Sequence, residues 1–564
     1  MEQDRGQFTL LDYSFFVIVF IVSATIGLYY AFKSRKTVMT TEDYLLGGRN
    51  VSLFPVICSL IATSISGSTI IGLTAECYAY GSHSWMYSIS LLFVPFVLPT
   101  VFLPIFNELK LTSSFKYFEL RFNRRVRLLA SGIFLLTGLL VLPVTVYVPA
   151  LTFQRVTGLN TYITVTVLSL LCASYTAVGG FKAVIWTDVV QLALIIVSYI
   201  IVTVIGIQEI GGIQNVIEAG NRGGRIIFLN LENFNTRSSF PGYVFSISLM
   251  SIYQYGLNQT NLQRFLSLSN IRKMTFSTCI LIFIFVMLIL GCMLLGIVIY
   301  ANYETCDPLE AGIIRKVDQI FPHFVQDKAS LFLGFNGIFI AGIFSASLST
   351  TSSYFNAMSG IIYEDFISHR FPGNLQSTAS KFMKFTVIIL AFVQIILVFF
   401  IEKMGMIAQM TIQIYSMNAG ALLTLFTLGA VVPKANSVGA QVGAITAILS
   451  VLTLMIGSIG RIAEPNLPFR TDGCNNNLTA FNSTIVNYST QINDSEEIFW
   501  LFRVSYMYYA LIGVFLGITS GYIASILTGG NTIGDQRLLA PFLRRKSYAE
   551  EEEKVKLKTE SCNE

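Results

Sequence analysis

"SLIATSISGSTIIGL" (59–73) is the stretch on which the fold turns. It lies in an apolar run long enough to cross a bilayer, 51–76, yet it puts Ser64, Ser66, Gly67 and Ser68 near the middle. Backbone that leaves helix inside lipid must find polar partners, so it survives only where it lines a cavity or is covered by protein. "MSIYQYGLNQTNLQRF" (250–265) repeats the pattern with Tyr253, Gln254, Tyr255, Gly256 and Asn258. Two broken helices at matching places in two halves point to an inverted-repeat transporter with its sites at the midplane. For "SISGS" alone, a plainer reading stays open: Ser and Thr in membrane helices also serve close packing or bond back to the carbonyl one turn earlier.

Composition agrees with a polytopic helical membrane protein. Of 564 residues, 53% are hydrophobic and 12% charged, about half the charge of an ordinary soluble chain. The apolar residues form blocks of spanning length. Thirteen spans are expected, at about 12–32, 51–76, 84–106, 126–150, 160–178, 184–206, 240–262, 275–300, 331–362, 384–402, 404–430, 437–459 and 504–528. The two breaks then fall in the second and seventh spans, the offset of a five-helix repeat preceded by one extra helix. The expected scheme is an extracellular N-terminus (1–11), the extra helix (12–32), a transport core (51–430, repeats 51–206 and 240–430), two peripheral spans (437–528) and a cytoplasmic tail (529–564). The first span is expected to stay in the protein rather than serve as a cleavable signal, since "MEQDRGQFTLLD" before it is not basic and no small-residue cleavage site follows.

Basic residues set the orientation. With the N-terminus outside, 25 of the 37 Lys and Arg fall in inner segments and 12 in outer ones. The inner clusters are "KSRK" (33–36), "RFNRRVR" (121–127), "IRK" (271–273) and "RRK" (544–546). They follow topology rather than forming one face, which speaks against a nucleic-acid partner. Asn477, Asn482, Asn487 and Asn493 each begin an N-x-S/T triplet in the polar loop 460–503, which this orientation places outside. Asn50 and Asn258 match the same pattern but fall in an inner loop and a span. Cys306 and Cys474 both lie in outer loops, where oxidation permits a pair.

"SLSTTSSYFN" (347–356) raises the question of chemistry. Six of its ten residues are Ser or Thr, inside a stretch without charge from 331 to 363. Ser349, Ser352 and Ser353 share a helical face at i, i+3 and i+4, with Thr350 beside it. Hydroxyls on such a face can replace the water shell of a small hard cation, and carbonyls freed at the break near 62–66 can complete the site. Sodium is the natural ion, because the cluster offers a proton nothing to titrate. Asp188 in "AVIWTDVVQLALII" has two readings: a first-turn carboxylate favoured by the helix dipole, or an intramembrane cation ligand or gate. Glu76, Glu364 and Asp365 sit at span ends and are expected to be solvated. His83, His323 and His369 have no metal spacing, and no catalytic triad, P-loop or dinucleotide fingerprint is present, so no enzyme is expected.

Taken in order, "DYLLGGRN" (43–50), "LTSSFKYFELRFNRRVRLLASG" (111–132), "VYVPALTFQRVTGLN" (146–160), "YTAVGGFKAVIWTDVVQ" (175–191), "YGLNQTNLQRF" (255–265), "CDPLEAG" (306–312) and "FSASLSTTSSYFNAM" (344–358) resemble the sodium:solute symporter family. The resemblance runs from about Asp12 to Gly529. It is strongest to the branch of sodium-coupled monocarboxylate, multivitamin and iodide transporters, and it implies a LeuT-type core in the plasma membrane. It implies a sodium site from backbone oxygens of Ala62, Ile65 and Ala346 and hydroxyls of Ser349 and Thr350. It further implies a second sodium among Asp188, Ser349, Ser352 and Ser353, as some members have. Ser64 and Thr69 stand where the sugar transporters of the family hold Asn and His, so a hexose pocket is not expected.

The chain also departs from its branch. Val141, beside Pro143, replaces an expected Tyr, and Ser251 replaces a Trp. With Tyr253 and Gln254 nearby, Ser64, Thr69, Val141 and Ser251 make the expected substrate pocket, which has no Lys or Arg. The resulting expectation is a sodium-driven symporter for a small organic anion such as a monocarboxylate. The alternatives are a multivitamin, iodide or polyol transporter, or a non-transporting sodium sensor or leak channel on the same scaffold.

Overall fold

The computed structural model describes residues 8–34, 41–229, 239–328, 334–368, 376–401, 407–458, 466–474, 499–530 and 535–544. Among them the chain is helical throughout, with no strand. The expected glycosylation sites Asn477, Asn482, Asn487 and Asn493, and the tail beyond 544, lie outside the described residues.

Thirteen helices frame the molecule: α1 (Leu10–Ser34), α2 (Leu53–Ser64), α3 (Gly67–Tyr80), α4 (Arg124–Thr157), α5 (Thr161–Glu209), α6 (Ser248–Gly256), α7 (Gln259–Leu266), α8 (Ile271–Asn302), α9 (Phe335–Ile361), α10 (Gln376–Ile401), α11 (Ile407–Ala430), α12 (Ser437–Gly457) and α13 (Tyr509–Leu527). They are not thirteen spans. Among the described residues nine segments are long and apolar enough to cross a membrane, or ten when α2 and α3, bent by 55°, count as one. The expected 84–106 span is one of the nine, built of short helical pieces from Ser82 to Glu108.

The shortfall from thirteen has physical causes. The expected spans 160–178 and 184–206 are both carried by α5, which runs 49 residues and breaks at Gly180 (φ 62°, ψ −159°). A straight helix of that length would be about 74 Å long, over twice a hydrocarbon core. Only glycine takes Gly180's conformation readily. The seventh expected span is divided into α6 and α7, each too short alone, and α11 is diluted by Gln409, Gln413 and Asn418.

Both interruptions read from the sequence are real breaks. At the first, Ile65 leaves helix (φ −110°, ψ 109°) and the Ser66 side chain caps α3 by accepting from the Thr69 N–H. At the second, Asn258 caps α7, its side-chain oxygen accepting from the Thr260 N–H and hydroxyl at 3.1 and 2.8 Å. The N-x-T triplet at Asn258 is therefore a helix start.

α9 sits at the centre, packed on α1, α2, α4 and α5. It is the least apolar of the nine, yet 94% of its spanning stretch is buried. Its hydroxyls thus face protein rather than lipid. At one end of the bundle Cys306 is bonded to Cys474. There Leu467 N–H donates to the Ala79 carbonyl at 2.9 Å, and Arg225, fully buried, donates to the carbonyls of Tyr78 and Pro468 while lying over the Tyr300 ring. A hydrogen bond from Arg222 holds the nearby Glu304 carboxyl below its usual value. At the opposite end Tyr117 donates to the Leu538 carbonyl and Arg544 pairs with Glu108.

Asp365 corrects the expectation of a solvated end. It is buried against Arg127, whose Nε donates to it at 2.9 Å, and it also accepts from Ser131. Glu364 accepts from Thr112 at 3.2 Å.

Candidate sodium and substrate sites

The first site forms where α2 stops. Because the chain turns away at Ile65, the last carbonyls of α2 lose their intrahelical donors. Against this open end lies the hydroxyl face of α9. The Thr350 hydroxyl reaches the Thr63 carbonyl at 3.5 Å and its own Ala346 carbonyl at 3.2 Å. The Ser353 and Thr63 hydroxyls are 3.1 Å apart. Ala62, Ile65, Ala346, Ser349 and Thr350 are all buried at this junction. The close approach needs Gly67, since a Cβ there would stand 3.0 Å from the Ile343 carbonyl and 2.9 Å from Ser347 Oγ. Ser349 Oγ is buried without a well-formed hydrogen bond. Carbonyl and hydroxyl oxygens whose lone pairs are free are what a hard cation takes.

Asp188 has no exposure at all. It lies eight residues past the Gly180 break, beyond a first turn, so the reading of it as a first-turn carboxylate favoured by the helix dipole is set aside. Its Oδ2 accepts from Ser59 and, at 3.1 Å, from Arg264. Its Oδ1 faces the Ser349 hydroxyl without a well-formed hydrogen bond. Arg264 Nε donates to Ser59 Oγ at 2.6 Å, and its other nitrogens reach Ser353 Oγ and the Thr260 carbonyl. Ser352 and Ser353 also donate to the Ser349 carbonyl, at 3.0 and 2.7 Å. The structure thus brings Asp188 and Ser353 together, and it adds Ser59, Thr63 and Arg264, which the sequence reading missed. Its clue to Arg264 was an arginine closing a polar stretch, "LNQTNLQRF", that has no loop composition.

The expected substrate residues are placed less uniformly. Ser64 and Ser251 spend their hydroxyls on their own helices, donating to Leu60 and Ile247 carbonyls at 2.7 and 2.9 Å. Thr69 shares a hydrogen bond with Ser66 at 2.8 Å. Val141 is buried and apolar. Tyr253 accepts from Asn418 at 2.6 Å, and Gln254 accepts from Asn258 at 2.8 Å. Tyr354 and Tyr415 hydroxyls meet at 3.1 Å. Tyr354, Tyr415 and Asn418 were not expected; the signal for the last two was polarity inside an apolar span. Among the described residues no group of His, Cys, Asp and Glu could hold a transition metal.

Residues 44–447 match the model of the Sodium:solute symporter family. The chain belongs to that family. It is 31% identical over 552 residues to "Sodium-coupled monocarboxylate transporter 2" of Danio rerio, covering 96% of this chain and 87% of that one. It is 32% identical over 549 residues to "Sodium-coupled monocarboxylate transporter 1" of Homo sapiens, covering 93% and 88%. It is 33% identical over 532 residues to the "Sodium-dependent multivitamin transporter" of Oryctolagus cuniculus, covering 93% and 83%. The solved structure of a Na+-coupled sialic acid symporter in a substrate-bound outward-open state shares the fold, with TM-score 0.77 at 21% identity over 94% of this chain and all of that one. The chain is a sodium-coupled, multi-pass membrane transporter.

Proposed function

We propose that this symporter carries a small monocarboxylate across the plasma membrane together with sodium. The observation that carries the reading is the hydroxyl face of α9 set against the open end of α2, with Ser349 Oγ and Asp188 Oδ1 both buried, facing each other and without a well-formed hydrogen bond. Ala62, Ile65, Ala346, Ser349 and Thr350 are the proposed first sodium site. Asp188 with Ser349, Ser352 and Ser353 is the proposed second.

The pocket side, with Thr69, Tyr253, Gln254, Tyr354 and Asn418, offers neutral donors. The charge of Arg264 is balanced by Asp188. Net positive charge for an anion therefore arrives only with sodium, whichever cation Asp188 holds, and substrate binding depends on sodium occupancy. Each charge moved inward gains about 2.3 kcal/mol per 100 mV, so two sodium ions with one monoanion are electrogenic. A vitamin carboxylate is the second reading, favoured by the similarity to the multivitamin transporter.

Current recording with a substrate panel tests this. Sodium-dependent inward current is expected with lactate, pyruvate or nicotinate and not with glucose. Current with glucose or myo-inositol and no carboxylate overturns the reading. Saturable biotin uptake that lactate does not compete with moves it to the vitamin branch.

A further inference from the structure

Arg264 holds two of the oxygens assigned above to the second sodium, Asp188 Oδ2 and Ser353 Oγ. It is 1% exposed, and its ion pair with Asp188 is completely enclosed. The four residues of this knot come from four helices: Ser59 on α2, Asp188 on α5, Arg264 on α7 and Ser353 on α9. Two further oxygens beside it, Asp188 Oδ1 and Ser349 Oγ, face each other without a well-formed hydrogen bond. A single carboxylate cannot neutralise two buried cations, and in a low-dielectric interior the uncompensated charge is strongly disfavoured.

We propose that Arg264 is an internal cation that exchanges with sodium: its guanidinium holds Asp188 and Ser353 in the sodium-free second site and gives them up when sodium binds. The inference rests on the second-site reading above and adds the competitor. It also says how occupancy is transmitted. Arg264 is anchored on α7, an eight-residue half-helix beyond the second break. Its guanidinium is the link from α7 to α5 and α9 within the knot. Losing that link loosens α7 at the end where the Val51 N–H donates to the Ser267 carbonyl at 3.2 Å. Sodium at the midplane thereby unlocks the half-helix on the side expected to face the cytoplasm. A static structural ion pair would do the opposite, since sodium would then only tighten its surroundings.

Hydrogen–deuterium exchange on the purified wild-type chain, in sodium against choline, separates the two. Sodium is expected to slow exchange in 346–353 and to speed it in 259–268. Slowing in both segments overturns the exchange while leaving sodium binding intact. No response in either overturns the sodium site and the exchange together. In cells, Arg264→Gln removes the competing charge and keeps a hydrogen-bond donor. At matched surface amount, the half-activating sodium concentration is expected to fall about fivefold or more, the scale of an ordinary coupling. No change, or a rise, overturns the proposal. The wild-type measurement stands even where the variant fails to reach the surface.

Discussion

Ser349 carries a buried hydroxyl that faces the Asp188 carboxylate without a well-formed hydrogen bond, and such an atom is costly unless something completes it. This makes Ser349→Ala a two-way test. If the hydroxyl only fills space, its removal deletes an unsatisfied polar atom and leaves sodium activation alone. If it is a sodium ligand, the half-activating sodium concentration rises about tenfold, or ~1.4 kcal/mol, near the lower end for a bond to a charged group. Thr350→Ala is expected to act likewise. Unchanged activation in both variants, at equal surface amounts, rejects the site. The serine face was legible because helical spacing alone gathers Ser349, Ser352 and Ser353. Arg264 was not. Counting basic residues by topology put it in an inner loop just past an apolar run, and only packing shows that its charge is enclosed beside Asp188. Asp365 was misread for the same reason: position at a span end does not reveal a buried Arg127.

The breaks at Ile65 and Asn258 could be read from sequence because a chain that leaves helix in a membrane needs caps, and Ser66 and Asn258 are capping residues at those points. The division of α5 was read as a short loop, and it is one glycine, because two helices can meet at a single residue only if its backbone can reverse. Packing between α12 and α13 had no such signal. It depends on which glycines face each other. A Cβ at Gly439 would stand 1.9 Å from Ser525 Oγ and 2.3 Å from the Gly521 carbonyl. Relief requires the helices to part, since the carbonyl cannot rotate away. Gly439→Ala is therefore expected to destabilise by about 1–3 kcal/mol and to lower the thermal denaturation midpoint of the purified protein. Gly132→Ala, where a Cβ meets nothing within 4 Å, is the matched control. Sodium affinity is expected to stay put in both, since no proposed sodium ligand is on α4, α12 or α13. Equal midpoints for the two variants would reject the packing argument.

Across the whole molecule, orientation is the property that joins the charge count to transport direction. The distribution of Lys and Arg favours the N-terminus and the loop 460–503 outside, and that orientation is the one proposed. The structure adds an independent constraint: Cys306 and Cys474 are bonded, so the segments that carry them share one face of the membrane. The Asp307 N–H to Arg470 carbonyl bond at 2.9 Å and the Gly473 N–H to Thr305 carbonyl bond at 2.9 Å hold the same two segments together. A disulfide persists on the oxidising side, which supports the proposal that this face is extracellular and the opposite one, with Arg121, Arg127 and Arg544, cytoplasmic. The four N-x-S/T triplets follow Cys474 within the same expected loop, so the proposed orientation exposes them to the glycosylating compartment. Glycosidase treatment is expected to increase gel mobility, and replacing Asn477, Asn482, Asn487 and Asn493 together should remove that response. In the same cells an epitope at the C-terminus should bind antibody only after permeabilisation. Full glycosidase response in the quadruple variant, or antibody binding to intact cells, would invert the orientation and with it the side toward which Arg264 is proposed to release α7.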